Sequence, residues 1–202
     1  MNWEWFDKRV CLTNDPVEWQ IAQAEFARVG LEAEKYQAVK EIGPHQSFSH
    51  SERHILLDFL HSDAERLLHL EDDCVFRDLS PLPAALLQLP EDWDIVYLGA
   101  NLVLWNNGEP WPERYSEHLF RVKCAWTTHG IAYNKKCVEF ILGKQKGFNE
   151  QMYDNGLSDL LPVLNAYCVA PMVAYQRPRF SSIWGRTDDY TPIFEASEAR
   201  LR

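Results

Sequence analysis

The feature that most constrains the fold is an apolar run that stops on three consecutive acids. Residues 66–73 read Arg-Leu-Leu-His-Leu-Glu-Asp-Asp, and Leu67–Leu70 has the character of a buried strand. Ligands bind at the carboxyl ends of strands in parallel sheets, which is where Glu71, Asp72 and Asp73 would lie. Three adjacent carboxylates repel one another unless a cation lies among them, and a divalent ion serving a phosphate-bearing substrate fits. A solvated acidic turn after a core strand is the simpler alternative.

Alternating strand and helix patterns over the rest of the chain predict an α/β fold with a mostly parallel sheet flanked by helices. The pattern opens with a strand over residues 9–13, a helix capped by Asp15 with Pro16 at its first position, and a second strand over residues 34–39. Later helices are predicted from a cap at Ser49 or Ser51 and over residues 157–164, where Pro162 must bend or end the helix. We predict one domain over residues 1–202, in which residues 178–202 form an irregular tail. Residues 101–117 are rich in helix and strand breakers and predict a long loop that closes over ligands.

Charge and cysteine content limit the partners and the compartment. The formal net charge of -10 argues against a surface built to hold nucleic acid. The five cysteines form no C-x-x-C pair, and an odd number of them indicates reduced thiols in the cytoplasm. Residues 1–10 lack the apolar core of a signal peptide, and no stretch has the length of a membrane span. We therefore expect a soluble protein whose membrane contact, if any, is peripheral.

Several common site motifs are absent from the sequence. No G-x-G-x-x-G follows the first strand, and no Walker-type G-x-x-x-x-G-K occurs, which argues against a dinucleotide dehydrogenase and a P-loop ATPase. The chain also lacks H-E-x-x-H, a Cys/His cluster and a G-x-S-x-G nucleophile elbow. Metal-assisted chemistry on a phosphate ester is the class that remains.

Five segments, in this order, resemble glycosyltransferase family 25, the group that contains lipooligosaccharide and collagen galactosyltransferases. They are Ser47–His50, Leu68–Phe76, Trp93–Gly99, Thr128–Gly130, and the late set Asp159, Leu160, Tyr167, Val169, Pro171 and Gln176. The resemblance covers roughly residues 9–177. It implies a GT-A, Rossmann-like, nucleotide-sugar-binding fold and an inverting transfer of a hexose, with galactose as one candidate. The donor is expected to be UDP-linked, the acceptor a hydroxyl of a glycan, lipid-linked or protein molecule, and the cofactor Mn²⁺ or Mg²⁺.

The resemblance also implies roles for individual residues. Asp73 is expected to bind the metal directly and Glu71 directly or through water, while His129 completes the metal shell or holds a phosphate. Asp72 is expected to contact the ribose hydroxyls. The remaining candidates for the donor pocket are Leu12, Thr13, Asn14, Ser49, His50 and Gly99.

Inversion requires a base that takes the proton of the acceptor hydroxyl. Asp159 matches the late aspartate of the family and is the first candidate, with Asp154 as the reserve. The alternative for Asp159 is a purely structural role as a helix cap near Pro162.

Two other functions stay open at this point. The first strand ends Leu12-Thr13-Asn14-Asp15 and the second is followed by Lys40-Glu41, whereas the family carries Asn-Leu-Asp-Arg and Asp-Gly at these points. The chain could therefore be an inactive module that binds nucleotide sugars or glycans. A sugar nucleotidyltransferase shares the α/β layout and the metal, although that class carries a glycine-rich basic loop after its first strand, which this chain lacks.

Overall fold

The computed structural model describes residues 3–40, 43–103, 112–144, 152–181 and 184–202. Residues 104–111 of the long loop predicted over residues 101–117 therefore lie outside the described residues, including Trp105 and Trp111. The strands are β1 (Lys8–Thr13), β2 (Glu34–Gln37), β3 (Arg66–Glu71), β4 (Cys74–Phe76), β5 (Ile95–Tyr97), β6 (Glu113–Arg114), β7 (Leu119–Arg121), β8 (Gly130–Asn134), β9 (Ala166–Val169), β10 (Ala174–Gln176), β11 (Arg179–Ser181) and β12 (Arg186–Asp188). The helices are α1 (Pro16–Arg28), α2 (Pro44–Leu60), α3 (Leu82–Gln88), α4 (Lys135–Lys144), α5 (Tyr153–Ser158) and α6 (Thr191–Glu198), with short 3₁₀ helices at Trp3–Trp5, Leu161–Val163 and Ala199–Leu201.

One large sheet organises the described part of the chain. Its eight strands follow the order β2-β1-β3-β8-β5-β9-β7-β6, and two small two-stranded sheets pair β10 with β4 and β11 with β12. The pairings make β1, β2, β3, β5, β6 and β9 run in one direction and β7 and β8 in the other. The predicted α/β fold with a mostly parallel sheet is thus confirmed.

The central strand β3 buries both of its faces. Leu67 packs in the apolar core that includes residues of α2, α4, α5 and α6, whereas Leu68 and Leu70 pack in the core that includes residues of α1 and α3. All three leucines are fully buried. Because β1 lies parallel on one side of β3 and β8 antiparallel on the other, the end of β3 emerges in the middle of one sheet edge. Because helices cover both faces of the sheet, a ligand could reach β3 only at its carboxyl end.

Two helices differ from the sequence prediction in their bounds. The helix expected from Ser49 or Ser51 already begins at Pro44, a residue whose fixed φ suits the first helical turn. The helix expected over residues 157–164 is divided into α5 and the 3₁₀ helix Leu161–Val163. Pro162 explains the division, because it cannot donate the backbone hydrogen bond that an α-helix needs there.

The prediction that residues 178–202 form an irregular tail is wrong for the residues that the structure describes. It forms the hairpin of β11 and β12 and then α6. Phe194 of α6 is fully buried against the ring of Tyr175, and the Ser197 hydroxyl accepts the backbone N–H of Leu102 at 2.8 Å. The polar composition hid these few anchoring residues, which attach the tail to the sheet.

None of the helices that the structure describes has the length and apolarity needed to cross a membrane. All five cysteines are free thiols, and all but Cys124 are buried. Burial raises the pKa of Cys74, which keeps this thiol protonated and unreactive.

Gly99 provides a test of how closely β5 and the segment leading into β10 pack. A Cβ at this position would lie 1.9 Å from the carbonyl oxygen of Ala174, so the backbone must shift to accept one. We expect Gly99→Ala to lower the free energy of unfolding by about 1–3 kcal/mol, the usual range for overpacking. Gly143→Ala in α4 is the control, because a Cβ there meets nothing within 4 Å. It should raise the free energy of unfolding by up to about 1 kcal/mol, since alanine favours helix. Equal effects of the two changes in urea denaturation would contradict the close approach.

Candidate functional site

A large cavity opens at the sheet edge where β1 and β3 end. Its volume is about 1090 Å³. Its wall is formed by the turn after β1, the three acids at the end of β3, the segment before β8, the start of α5 and the β11–β12 hairpin. This volume slightly exceeds the usual range of about 300–1,000 Å³ for small-molecule sites. The acids predicted from the sequence therefore face a space large enough for a small-molecule ligand.

Each of the three acids has a polar partner. The Glu71 carboxylate accepts a hydrogen bond from the Thr128 hydroxyl at 2.8 Å. Asp72 accepts one from the Thr13 hydroxyl at 2.6 Å, and its other oxygen contacts the guanidinium of Arg179. Asp73 lies 3.2 Å from Nε of the same arginine and accepts from the Gln176 side chain at 3.3 Å. One arginine thus bridges two of the acids.

Burial makes this cluster unfavourable for three negative charges at once. It raises the pKa of Glu71 to about 8, reinforced by the neighbouring charge of Asp73. Burial also raises the pKa of Asp73 to about 6, although the Arg179 charge acts in the opposite direction. Both carboxyls gain from additional positive charge. The electrostatics therefore support a cation-binding role for the cluster.

The donor set fits a metal that is held partly by its substrate. Within the described ranges, no group of three or more His, Cys, Asp or Glu side chains converges to hold an ion. Asp73, however, buries one carboxylate oxygen, Oδ1, without a hydrogen-bond partner. Mg²⁺ and similar hard ions commonly use one or two carboxylates together with substrate phosphates and water. Asp73 and its neighbours suit such a site and do not form a closed protein cage.

The predicted donor-pocket residues divide into two groups. Leu12, Thr13 and Asn14 line the cavity, as predicted for a pocket at the end of β1. Ser49 and His50 do not line it, because α2 presents Ser47 and Phe48, two residues earlier, to the cavity. Ser47 and Phe48 were not predicted, because the sequence does not show where α2 begins and therefore which of its residues face the cavity.

Gly99 and His129 lie behind the cavity wall. Gly99 is needed for the approach of the Ala174 carbonyl, which explains the glycine without a ligand. The His129 ring is fully buried and makes an edge contact with Phe194 at a centroid distance of 4.9 Å. Burial lowers the pKa of His129 to about 4, so its imidazole is neutral at pH 7. Its role as a metal ligand stays a prediction.

The two candidates for the base occupy different places. Asp159, the first choice, follows α5 and is exposed outside the cavity wall, so its position corresponds to the helix-end alternative. Asp154, the reserve, lies in the first turn of α5 and lines the cavity with the acid cluster. Burial raises the pKa of Asp154. The geometry therefore favours Asp154.

Thr127, which was not predicted as a site residue, holds the Asp154 carboxylate in place through its backbone. Its φ of 72° lies in the left-handed region, which is unusual for a β-branched residue. In this conformation its backbone N–H donates to the Asp154 carboxylate, which also accepts the N–H of Asn155 at 2.9 Å. Unusual backbone conformations of this kind cluster at functional sites. No signal in the sequence marks Thr127, because its conformation is imposed by tertiary packing.

A buried pair of titratable groups lies beneath the acid cluster. His69 of β3 and Glu52 of α2 are both fully buried, with Nε2 and Oε1 3.2 Å apart but not aligned for a hydrogen bond. Burial lowers the pKa of His69 to about 3 and raises that of Glu52 well above its ordinary value. The contact therefore joins two neutral groups and is not an ion pair at neutral pH.

Comparison with solved structures places the fold among known proteins. The chain is similar to the crystal structure of A197 from STIV, with a TM-score of 0.54 and 14% identity over 90% of this chain and 95% of that one. It is also similar to a glycosyltransferase involved in glycosylation of the major capsid of PBCV-1 (TM-score 0.42, 10% identity, 69% and 68% covered). A third similar structure is the inositol-1-phosphate CTP transferase from T. maritima (TM-score 0.44, 15% identity, 96% and 78% covered).

These similarities concern the fold. At 14% identity, the A197 similarity supports a shared architecture and says nothing about activity. The fold class predicted from the sequence, α/β with a mostly parallel sheet flanked by helices, is confirmed. No protein-family model matches the chain, and no curated protein matches it either. The resemblance to glycosyltransferase family 25 stays a prediction.

Glu52 gives a prediction for the pH dependence of stability. Its folded-state pKa is raised above the ordinary value of 4.5, so the folded protein keeps a proton that the unfolded chain releases. The free energy of unfolding should therefore fall as pH rises above about 4.5. His69, Glu71 and the Tyr133 hydroxyl face Glu52 and are kept in the variant. We expect Glu52→Gln to gain stability relative to the wild type between pH 5 and 8, by up to about 1.4 kcal/mol per pH unit. Urea denaturation across this range measures the difference, and parallel pH profiles would contradict a protonated Glu52.

Proposed function

We propose that the protein transfers a hexose, with inversion, from a UDP-linked donor to a hydroxyl of a glycan, lipid-linked or protein acceptor. The observation that carries the proposal is that the acid cluster and Asp154 open onto one cavity at the carboxyl end of β3. The cluster suits the donor diphosphate together with Mn²⁺ or Mg²⁺, and Asp154 suits the acceptor hydroxyl. We infer a cytoplasmic location from the free, mostly buried thiols.

The residues at the end of β3 would bind the donor. Asp73, which has a carboxylate oxygen without a partner, is the first metal ligand, and Glu71 assists it directly or through water. Thr13 orients Asp72 by its hydrogen bond, and this acid would contact the ribose hydroxyls through the oxygen that Arg179 pairs with in the absence of a donor. An ion bound there would supply positive charge that stabilises the diphosphate leaving group.

Asp154 would accept the proton of the acceptor hydroxyl. The N–H groups of Thr127 and Asn155 fix its carboxylate, which limits its motion relative to the cavity. Burial raises its pKa and so makes the carboxylate a stronger base than an exposed aspartate. A fixed base on the cavity wall and a donor at the acids would allow attack from the side opposite the leaving group, as inversion requires.

The turn between β1 and α1 argues against the nucleotidyltransferase alternative. Asp15 caps α1 by accepting the backbone N–H groups of Val17 at 2.7 Å and Glu18 at 3.4 Å. The N–H groups at a helix start, which often bind phosphate, are therefore already occupied by a carboxylate. The turn Thr13–Pro16 also has no glycine and no basic residue to hold a triphosphate.

A panel of nucleotide sugars tests the proposed reaction. UDP release from one UDP-hexose, dependent on Mn²⁺ or Mg²⁺ and increased by a glycan acceptor, is the expected result. Pyrophosphate release from a nucleoside triphosphate and a sugar 1-phosphate would favour the nucleotidyltransferase. Binding of a nucleotide sugar without turnover under any of these conditions would favour the inactive module.

Asp154→Asn tests the base. The amide keeps the size of the side chain but cannot take a proton, so the rate of sugar transfer should fall by about a hundredfold or more. The affinity for UDP and metal should remain. Asp159→Asn is the matched control outside the cavity and should transfer at the wild-type rate. A loss confined to Asp159→Asn would restore the first choice made from the sequence.

Asp73→Asn tests the metal site. The change removes a ligand charge while keeping the Gln176 contact possible, so Mn²⁺-dependent binding of UDP should be abolished in a folded protein. Isothermal titration calorimetry with UDP, in the presence and absence of Mn²⁺, measures this. Unchanged affinity in a variant with native circular dichroism would mean that the acids form only an acidic turn.

A further inference from the structure

Arg179 occupies the centre of the acid cluster. Its guanidinium contacts Asp72 through one terminal nitrogen, and its Nε lies 3.2 Å from Oδ2 of Asp73. The side chain is 25% exposed and lines the same cavity as the acids. The positive charge that the sequence led us to expect among the acids is thus present in the protein itself.

The backbone leading to Arg179 is fixed close to the acids. The N–H of Arg177 donates to the carbonyl oxygen of Asp73 at 2.9 Å, and the Arg177 side chain pairs with Glu18 of α1. Gln176, one residue earlier, donates to the Asp73 carboxylate. Arg179, the first residue of β11, therefore follows by two residues a backbone that is bonded to the site, while its own side chain can change direction.

A divalent ion and this guanidinium would share the carboxylate of Asp73. Arg179 uses one oxygen each of Asp72 and Asp73, and Asp73 Oδ1, the buried oxygen without a partner, belongs to the same carboxylate. An ion bound to Asp73 would stand next to the guanidinium, where like charges repel strongly in a buried setting. Full occupancy by both cations is therefore unfavourable, and one has to replace the other.

We propose that Arg179 is an exchangeable counter-ion of the donor site, which a divalent metal displaces, and that the released guanidinium then binds the diphosphate of the donor. The proposal rests on the function proposed above. The arginine stays on the cavity wall after exchange because its backbone is held at Arg177, and a diphosphate is a favourable partner for a guanidinium. In the empty protein, Arg179 compensates the charge of the buried acids. In the loaded protein, Arg179 is a second positive group, beside the metal, that binds the diphosphate leaving group.

This exchange predicts two opposite effects of Arg179→Gln. Without the competing guanidinium, the apparent affinity for Mn²⁺ alone should rise by about tenfold or more. The reason is that the ion no longer has to displace Arg179 from the carboxylates before it binds. At saturating Mn²⁺, the affinity for UDP should fall by about tenfold or more, because a charged hydrogen bond to the diphosphate is lost. A purely structural arginine would not move these two affinities in opposite directions.

The experiment measures Mn²⁺ binding by electron paramagnetic resonance of the free ion, without donor or acceptor, and then UDP binding by calorimetry at saturating Mn²⁺. Arg186→Gln is the matched control, since Arg186 lies on the same hairpin and lines the same cavity but pairs with Asp188. It should leave Mn²⁺ affinity unchanged. Arg179→Lys, which keeps a charge but cannot bridge two carboxylates, should fall between wild type and Arg179→Gln and serves if the glutamine variant does not fold.

Tighter Mn²⁺ binding with weaker UDP binding in Arg179→Gln supports the exchange. Unchanged or weaker Mn²⁺ binding in both Arg179 variants overturns it, as does an equal increase in Arg186→Gln. The outcome is separate from that of the proposed function, because the Mn²⁺ titration involves no sugar. A protein that releases UDP from a donor but shows no change in Mn²⁺ affinity would keep the function and lose the exchange.

Discussion

The burial of three acids at the end of the central strand is the constraint on which the site depends. A buried carboxylate is costly unless it is hydrogen-bonded, paired or protonated. The chain uses the first two of these solutions, with threonine hydroxyls that donate to Glu71 and Asp72 and a guanidinium that pairs with Asp72 and Asp73. The partners come from β1, from the segment before β8 and from the tail, so the cluster requires distant parts of the chain to converge at one edge of the sheet.

The layer beneath the cluster is equally short of charge. His69 and Glu52 are both fully buried, and burial favours the neutral form of each. Glu71, two residues after His69 on the same face of β3, therefore has an apolar and neutral environment on its inner side. A change of charge at the cavity is then weakly screened, which makes the cluster sensitive to the arrival of a single cation.

The central features of this protein could be predicted from the sequence, and the missing ones depend on tertiary contacts. Leu67–Leu70 and the acids could be recognised because a buried strand and a crowded charge are both local patterns. The α/β class followed from the alternation of such elements. The position of Arg179 could not be foreseen, because the polar tail gives no periodic signal and its anchor Phe194 stands in a short helix. The choice of Asp154 over Asp159 as the base likewise depends on the backbone of Thr127. Its left-handed conformation could not be predicted from the residue type, because threonine rarely adopts it.

The attachment of β10 has a consequence for the speed of the site. The N–H groups of Val173 and Ala174 both donate to the carbonyl oxygen of Leu98, at 2.9 and 3.1 Å, where Gly99 permits the close approach. Arg179 follows Ala174 by only five residues, a reach of at most about 18 Å in extended chain, and the bond from Arg177 shortens it further. Rotation of the side chain is then sufficient to move its charge, with no need for a hinge motion of the backbone. Arrival of the ion, and not rearrangement of the protein, would set the rate at which the site is loaded.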